Sequence, residues 1–241
     1  MKKASVAVTV FCMPKLLLLL VALVLPVLST AADLTGYASL TTDYVRRGVS
    51  QSGSDVAVQL GLDGEAEWGG LLGAWASTID NMRQEGRQHD IELNAYAGYG
   101  RDVGRNWRLT GFAVSYNYPG LDTPFDYDYI EYSLSANYDD RFWIEFGFTS
   151  DSYGTGRDAR IVEIFGEWPL AGAWNLGVGV GENDVSDVVG ESYRFWQIGA
   201  TGHFDRASVD VRYHDTDGTV PFLSTEDTAG ARVVLTLTIP F

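Results

Sequence analysis

The chain has 241 residues and a formal net charge of −15 at pH 7, with 32 carboxylates against 17 lysines and arginines. Nucleic-acid binding depends on neutralising phosphates with Lys and Arg, so this balance argues against a nucleic-acid partner. Glycine, tyrosine and tryptophan are plentiful, and no segment beyond the N-terminal region could span a membrane as a helix. Two classes remain: a secreted all-β protein and a transmembrane β-barrel.

Residues 1–31 have the pattern of a cleaved secretory signal peptide. Lysines precede a short apolar run, residues 16–28, and small residues follow it. That run is too short to cross a bilayer as a helix, which needs roughly 20 apolar residues, so an uncleaved anchor fits less well. We expect cleavage after Ala31 or Ala32, with residues 32–241 forming the mature domain.

Cleavage would change the chemistry that is available to the mature chain. It removes the only cysteine, Cys12, and all three lysines, which leaves 14 arginines against 32 carboxylates and a net charge of −18. The sequence therefore excludes a disulfide, a cysteine zinc site and a cysteine nucleophile in the mature chain.

Alternating apolar and polar residues run through nearly the whole mature sequence. In the last segment Leu235, Leu237 and Ile239 fall on one face, and Thr236 and Thr238 fall on the other. Alternation over about ten residues is typical of membrane barrels, in which one face meets lipid and the other meets the lumen. We predict an antiparallel up-and-down barrel of about twelve strands, an even number as in bacterial single-chain barrels. The predicted strands cover residues 34–44, 55–63, 71–80, 91–99, 107–118, 130–138, 142–149, 159–168, 174–181, 192–204, 207–214 and 231–241.

The connections between these segments alternate in length. Short turns on one side and long loops on the other match the periplasmic turns and extracellular loops of outer-membrane barrels. The predicted short turns are Glu65–Gly70, Arg101–Asn106, Asp139–Asp140, Pro169–Gly172 and Asp205–Arg206. The predicted long loops include Asn81–Gln88, Pro119–Asp126, Ser150–Asp158, Glu182–Glu191 and Asp215–Thr228.

Aromatic residues add two further indications of a membrane barrel. Five of the seven tryptophans lie near the predicted short turns, where amphipathic rings would form half of an interfacial girdle. The alternative is that they pack the core of a soluble β-sandwich, which also alternates. The chain ends on Phe241, which resembles the terminal strand recognised by the barrel-assembly machinery. The five tryptophans are Trp68, Trp107, Trp143, Trp168 and Trp174.

The N-terminal segment Ser39–Gln51 resembles a motif of the TorF family of porin-like proteobacterial outer-membrane proteins, a family earlier described only as conserved hypothetical. The motif, T-D-Y-x-x-R-G-x-S-Q, is matched by Thr42, Asp43, Tyr44, Arg47, Gly48, Ser50 and Gln51. Further likeness lies in residues 73–77 and 91–99, and the resemblance runs over the whole mature length. It implies a barrel and a channel role, without naming a solute.

The motif also has a physical interpretation of its own. Asp43 is predicted to face the lumen near the top of the first strand, with Arg46 and Arg47 just beyond it and Gly48 making a turn. A carboxylate and an arginine at a loop base could form a charge-assisted pair that fixes the loop. The alternative is direct contact with a solute at the mouth.

The predicted lumen contains more carboxylates than arginines. Charged rings set pore selectivity, so one interpretation is a cation-favouring constriction. The other is an internal salt network with Arg212 and Arg232 that plugs the barrel. Glu145 and Glu163 would lie nearly opposite each other, where like charges need compensation. The residues predicted to line the pore are Glu92, Glu131, Glu145, Glu163, Asp210, Arg212 and Arg232.

The leading functional prediction is a narrow outer-membrane channel for small polar solutes or ions, in contact with membrane lipid and lipopolysaccharide. The alternatives are a plugged structural or adhesive barrel acting through its loops and, less favoured, an outer-membrane hydrolase. The sequence has three histidines but no nucleophile motif such as G-x-S-x-G, so no enzyme activity is predicted. No cofactor or metal is predicted either, since loop carboxylates such as Asp184 and Asp227 lack EF-hand spacing.

Overall fold

The computed structural model describes residues 32–80, 90–119, 126–219 and 224–241. The predicted signal peptide lies outside these residues, as do the whole predicted loop Asn81–Gln88 and parts of two other predicted long loops. Within the described chain, no helix is long and apolar enough to cross a membrane.

Twelve strands form a closed antiparallel barrel, and two very short strands form a separate hairpin. The barrel strands follow one another around the wall in chain order, and the first, β1, pairs with both β4 and the last, β14. The fold class predicted from the sequence is therefore confirmed. The strands are β1 (Ala32–Thr41), β2 (Val45–Arg46), β3 (Val49–Ser50), β4 (Ala57–Ala66), β5 (Gly70–Ile79), β6 (Asp90–Val103), β7 (Trp107–Asn117), β8 (Tyr129–Tyr138), β9 (Phe142–Thr149), β10 (Ala159–Pro169), β11 (Trp174–Asp184), β12 (Ser192–Phe204), β13 (Ala207–Thr216) and β14 (Arg232–Pro240).

The predicted alternation of turn lengths is also present. The tightest turns lie at one end, which we call the short-turn end, and the opposite end is the long-loop end. At the short-turn end Asp139 and Asp140 both have positive φ, 57° and 54°, the backbone of a type I′ turn that matches strand twist. At the long-loop end, short helical turns at Ser152–Gly154, Ser186–Val189 and Glu226–Ala229 interrupt the loops.

The barrel wall is apolar on its outer face. Val58, Leu60 and Leu62 point outward with about half of their surface exposed, whereas Gln59 between them is more buried. The outer face of β14 continues this pattern, with Leu237 40% exposed. Exposed leucine and valine over a whole barrel surface are typical of a wall that faces lipid.

Aromatic pairs surround the short-turn end. Four of the five tryptophans predicted there pack against a neighbouring aromatic ring on the barrel rim, and the pairs are Trp68 with Tyr99, Trp107 with Tyr138, Trp168 with Phe142, and Trp174 with Phe204. The prediction is wrong for Trp143. Because Trp143 follows the outward-facing Phe142, strand alternation turns it inward, and its ring lies 4.6 Å from that of buried Phe165.

The chain ends close the barrel. Gly36 and Phe241 exchange backbone hydrogen bonds of 3.1 and 2.8 Å, next to the ladder between β1 and β14. A side chain at Gly36 would collide with the ring of Phe241, whose Cε2 would lie 2.5 Å from its Cβ. Phe241 therefore belongs to the seam of the barrel, and its role as an assembly signal stays a prediction.

Candidate functional site

The connection between β1 and β4 folds into the barrel instead of extending from it. The sequence predicts strand through residue 44, but β1 ends at Thr41, and β2 and β3 then form a hairpin. We call residues 42–56 the inner hairpin. Its two-residue turn, Arg47-Gly48, has φ of 53° and 79°, which is the type I′ geometry of tight hairpins.

The tip of the inner hairpin is fixed to a distant part of the wall. Nη2 of Arg47 lies 2.6 Å from Oε1 of Glu131 on β8, and Nη2 of Arg46 lies 3.6 Å from the other carboxylate oxygen. Arg46 also donates a 2.9 Å hydrogen bond to the Tyr129 hydroxyl and lies over the Tyr116 ring. Since β8 is the fifth strand from β1 through β4, β5, β6 and β7, the hairpin spans almost the whole lumen.

The base of the inner hairpin is fixed by Asp43. One carboxylate oxygen lies 2.7 Å from Nη1 of Arg232 on β14, and the other accepts hydrogen bonds from Ser50 and Ser52 at 2.6 and 2.9 Å. Asp43 is 7% exposed, so these bonds replace water around a buried charge. The structure thus contains a carboxylate–arginine pair at the loop base, but its arginine is Arg232 and not Arg46 or Arg47.

The remaining motif residues shape the hairpin itself. The ring of Tyr44 packs edge-on against Trp75 with centroids 5.2 Å apart. Gln51 donates from its backbone N–H to the Tyr44 carbonyl at 2.6 Å. At Gly48 a Cβ would lie 2.5 Å from Cγ2 of Thr216 and 2.7 Å from Cβ of Phe195, so only glycine fits there.

Two apolar clusters hold the inner hairpin from opposite sides. On one side Val49 packs with Val185, Phe195 and other residues of the long-loop end. On the other side Tyr44 packs against a cluster that includes Tyr116 and Tyr129. Both clusters lie near the long-loop end of the strands. The hairpin therefore narrows the lumen at that end, and the middle of the barrel lies between the hairpin and the short-turn end.

Two cavities lie beside the inner hairpin in the part of the chain that the structure describes. The larger, which we call cavity A, has a volume of about 430 Å³ and is lined by Arg46, Arg47, Glu131, Glu145, Glu163, Gln197 and aromatic rings. The smaller, cavity B, has a volume of about 300 Å³ and is lined by Asp43, Trp75, Asp210, Arg212, His214 and neighbouring wall residues. The hairpin therefore leaves space on both sides of the lumen.

Glu145 and Glu163 lie opposite each other in the register of β9 and β10. Oε1 of Glu163 accepts a 3.1 Å hydrogen bond from the amide of Gln197. Among the described residues neither carboxylate has an ion-pair partner. Cavity A consequently contains two carboxylates without an ion pair, while Glu131 pairs with both hairpin arginines.

The other predicted pore-lining residues divide into two groups. Asp210 and Arg212 line cavity B and pair with each other at 2.8 Å. Glu92 lines neither cavity, because it is 1% exposed and accepts a 2.7 Å hydrogen bond from Asn94 behind the hairpin. Arg232 also lines neither cavity, and its guanidinium forms an ion pair with Asp43.

The predicted internal salt network is formed only in part: Arg212 pairs with Asp210, Arg232 pairs with Asp43, and neither arginine forms an ion pair with a lumen glutamate among the described residues. The arginines that reach a lumen glutamate, Arg46 and Arg47, come from a loop, and strand periodicity carries no information on where a loop folds. Arg47-Gly48, flanked by apolar Val45 and Val49, was the one available signal for a buried tight hairpin.

Two of the three histidines lie among the residues that the structure describes. His203 and Ser208 are register partners on β12 and β13, but no hydrogen bond joins them. His214 lines both cavities, and His89 lies outside the described residues. Across the described ranges, no group of three or more His, Cys, Asp or Glu side chains could hold a metal ion.

Sequence comparison assigns the chain to a family. A family model described as a bacterial protein of unknown function (Gcw_chp) matches residues 28–241. The chain belongs to that family. None of the curated proteins matches it in sequence, and the TorF name is not tested by this match.

Solved structures show the same fold at low sequence identity. One is a chain from work on the in-meso crystallization of membrane proteins, with 10% identity, a TM-score of 0.52, and coverage of 86% of this chain and 83% of that chain. Another is an outer-membrane channel from Pseudomonas putida F1, with 12% identity, a TM-score of 0.51, and coverage of 88% and 95%. At this identity the likeness concerns the fold alone, which is that of outer-membrane barrels.

Proposed function

We propose that this protein is an outer-membrane channel for small polar solutes and ions, and that the inner hairpin forms its constriction. The observation that carries the proposal is the salt bridge from Arg47, across the lumen, to Glu131, with cavities A and B left open beside the hairpin. The TorF resemblance and the outer-membrane channel of similar fold support the same role.

The outer membrane is the proposed location. An apolar outer wall, an aromatic rim and a closed ladder satisfy the requirements of a protein in lipid, where every backbone polar group needs a partner. By analogy with other barrels, the short-turn end would face the periplasm and the long-loop end the exterior. Membrane lipid and lipopolysaccharide would then surround the wall, and Phe241 would serve the assembly machinery.

The channel is proposed to favour cations. Three carboxylates and two arginines line cavity A: Arg46 and Arg47 both pair with Glu131, whereas Glu145 and Glu163 have no ion pair among the described residues. Charged side chains at a narrow point set the selectivity of a pore. An eight-stranded barrel is filled by its side chains and a sixteen-stranded one leaves a wide channel, so twelve strands with an inserted hairpin suit a narrow pore.

A planar-bilayer recording of the refolded protein, residues 32–241, tests this function. Discrete current steps that are absent from mock-refolded preparations are the expected result. A barrel that migrates as folded on an unheated gel and passes no current would contradict the proposal as stated.

A barrel held shut by the inner hairpin is the second candidate, because the hairpin is fixed at both its tip and its base. The paired variant Arg46→Ser with Arg47→Ser separates the two functions. If the native protein passes no current and the variant does, the native barrel is closed. If both pass current, the native protein is an open channel, and its current steps should be larger in the variant because the hairpin tip is released.

A further inference from the structure

Two carboxylates stand side by side on the wall of cavity A. Glu145 and Glu163 are register partners, and their nearest ladder neighbours are the small residues Ser135 and Gly181. Directly opposed like charges on adjacent strands are destabilising unless something compensates them. The wall therefore has an electrostatic cost that a bound cation would remove.

An aromatic ring borders this pair. Phe195 is the ladder partner of Gly181, and its ring covers the space that a side chain at Gly181 would occupy, next to Glu163. Phe112 and Tyr116 line the same cavity from the opposite wall. Aromatic faces attract organic cations and also shield an attached alkyl chain from water.

A buried acceptor in cavity A also lacks a hydrogen bond. Oε2 of Glu131 accepts none, although Glu131 is 3% exposed and this oxygen is shielded from solvent. Nη2 of Arg46 lies 3.6 Å from this oxygen, beyond hydrogen-bonding distance. Nη2 of Arg46 has no hydrogen bond either, and unpaired buried polar atoms cost free energy, so the two atoms are a second indication that a polar ligand belongs in the cavity.

We propose that cavity A binds a small organic cation with a primary ammonium group, held by Glu145 and Glu163 with its alkyl part against Phe195. This inference deepens the proposed channel function, on which it rests for its biological use, by naming the class of solute. An ammonium group has three hydrogen-bond donors and no acceptor, which suits a site rich in acceptors.

An inorganic divalent cation fits the cavity less well. Calcium takes six to eight oxygen ligands, and magnesium requires near-ideal octahedral geometry. Of the three carboxylates that line cavity A, Glu131 is already paired with Arg46 and Arg47, and in the part of the chain that the structure describes no three acidic or histidine residues could share a metal. Its volume of about 430 Å³ is roughly that of fourteen water molecules at about 30 Å³ each, enough for a small amine and some water.

Isothermal titration calorimetry of the refolded barrel at pH 7 tests the inference, with n-butylamine as the probe. n-Butanol provides a neutral probe of the same length, and potassium chloride provides a cation without an alkyl chain. We expect butylammonium to bind at least about tenfold more tightly than either, since hydrogen bonds to charged groups contribute about 1.5–3 kcal/mol.

Three variants make the test specific. Glu145→Gln with Glu163→Gln should weaken butylammonium binding about tenfold or more, and Phe195→Leu should weaken it while leaving potassium unaffected. Glu167→Gln is the matched control, because Glu167 is on the same strand and bonds to Asn175 below the cavity. If the double variant does not fold, Glu145→Gln alone serves, since this carboxylate has no hydrogen-bond partner among the described residues.

The possible results separate the site from the channel. Butylammonium binding that is unchanged in the glutamine variants, or equal to butanol binding, would overturn the inference. Current steps without any butylammonium binding would overturn it while leaving the channel intact. Specific binding by a barrel that passes no current would support the site and contradict the channel.

Discussion

Nη2 of Arg47 lies 2.6 Å from Oε1 of Glu131, and this one contact joins a loop that begins on β1 to a strand almost directly across the barrel. Arg47 adopts a left-handed backbone conformation, with a φ of 53°, that residues other than glycine rarely adopt. Such strain persists only where the surroundings enforce it. The salt bridge therefore fixes both the position of the hairpin tip and the turn that forms it.

Glu131→Gln should destabilise the folded barrel. Glu131 and its two arginines are mostly buried, and removing one partner of a buried pair costs about 3–5 kcal/mol. Urea unfolding in detergent, followed by gel migration, measures the loss. Glu65→Gln is the control, because the Glu65–Arg108 pair is largely exposed and such pairs contribute about 0–1 kcal/mol. Equal losses in the two variants would refute the anchoring role of Glu131.

Gly48→Ala should also destabilise the protein, through two separable effects. The new Cβ would meet Thr216 and Phe195, and the residue would have to keep a φ of 79°. Gly104→Ala isolates the second effect, since Gly104 has a φ of 70° and nothing within 4 Å. Strain of this kind costs about 1–3 kcal/mol. We expect Gly48→Ala to lower the unfolding midpoint more than Gly104→Ala, and the reverse order would contradict the packing of the turn.

Release of the hairpin tip should expose Val45, which faces both cavities. The predicted mature chain has no cysteine, so Val45→Cys can be labelled with a maleimide polymer too large for cavity A. Labelling should be slow with Glu131 intact and about tenfold faster after Glu131→Gln. Asp187→Cys, in an exposed long loop, should label at one rate in both backgrounds. Equal rates at Val45 in the two backgrounds would show that the salt bridge does not hold the tip in place.

Strand periodicity was sufficient to predict the barrel wall. Outward Val58, Leu60 and Leu62 alternate with inward residues because successive side chains of a strand point to opposite faces. The same rule predicts that Glu145 and Glu163 lie opposite each other, since the turn lengths set the register of β9 and β10.

The inner hairpin could not be predicted in the same way. Its polar composition resembles that of an exposed loop, and its anchors lie 84 positions away at Glu131 and 189 positions away at Arg232. Long-range ion pairs of this kind leave no periodic signal. Proximity to a turn was misleading for Trp143, since the strand alternation that includes Phe142 decides its direction.

The central claim is a channel with an acidic wall beside the inner hairpin. The most direct measurement is the reversal potential of single channels under a potassium chloride gradient, for the native protein, for Glu145→Gln with Glu163→Gln, and for Glu167→Gln. The account predicts a cation-favouring reversal potential that moves toward zero only in the double variant. A native potential at zero or on the anion side, or the same shift in Glu167→Gln, would contradict it.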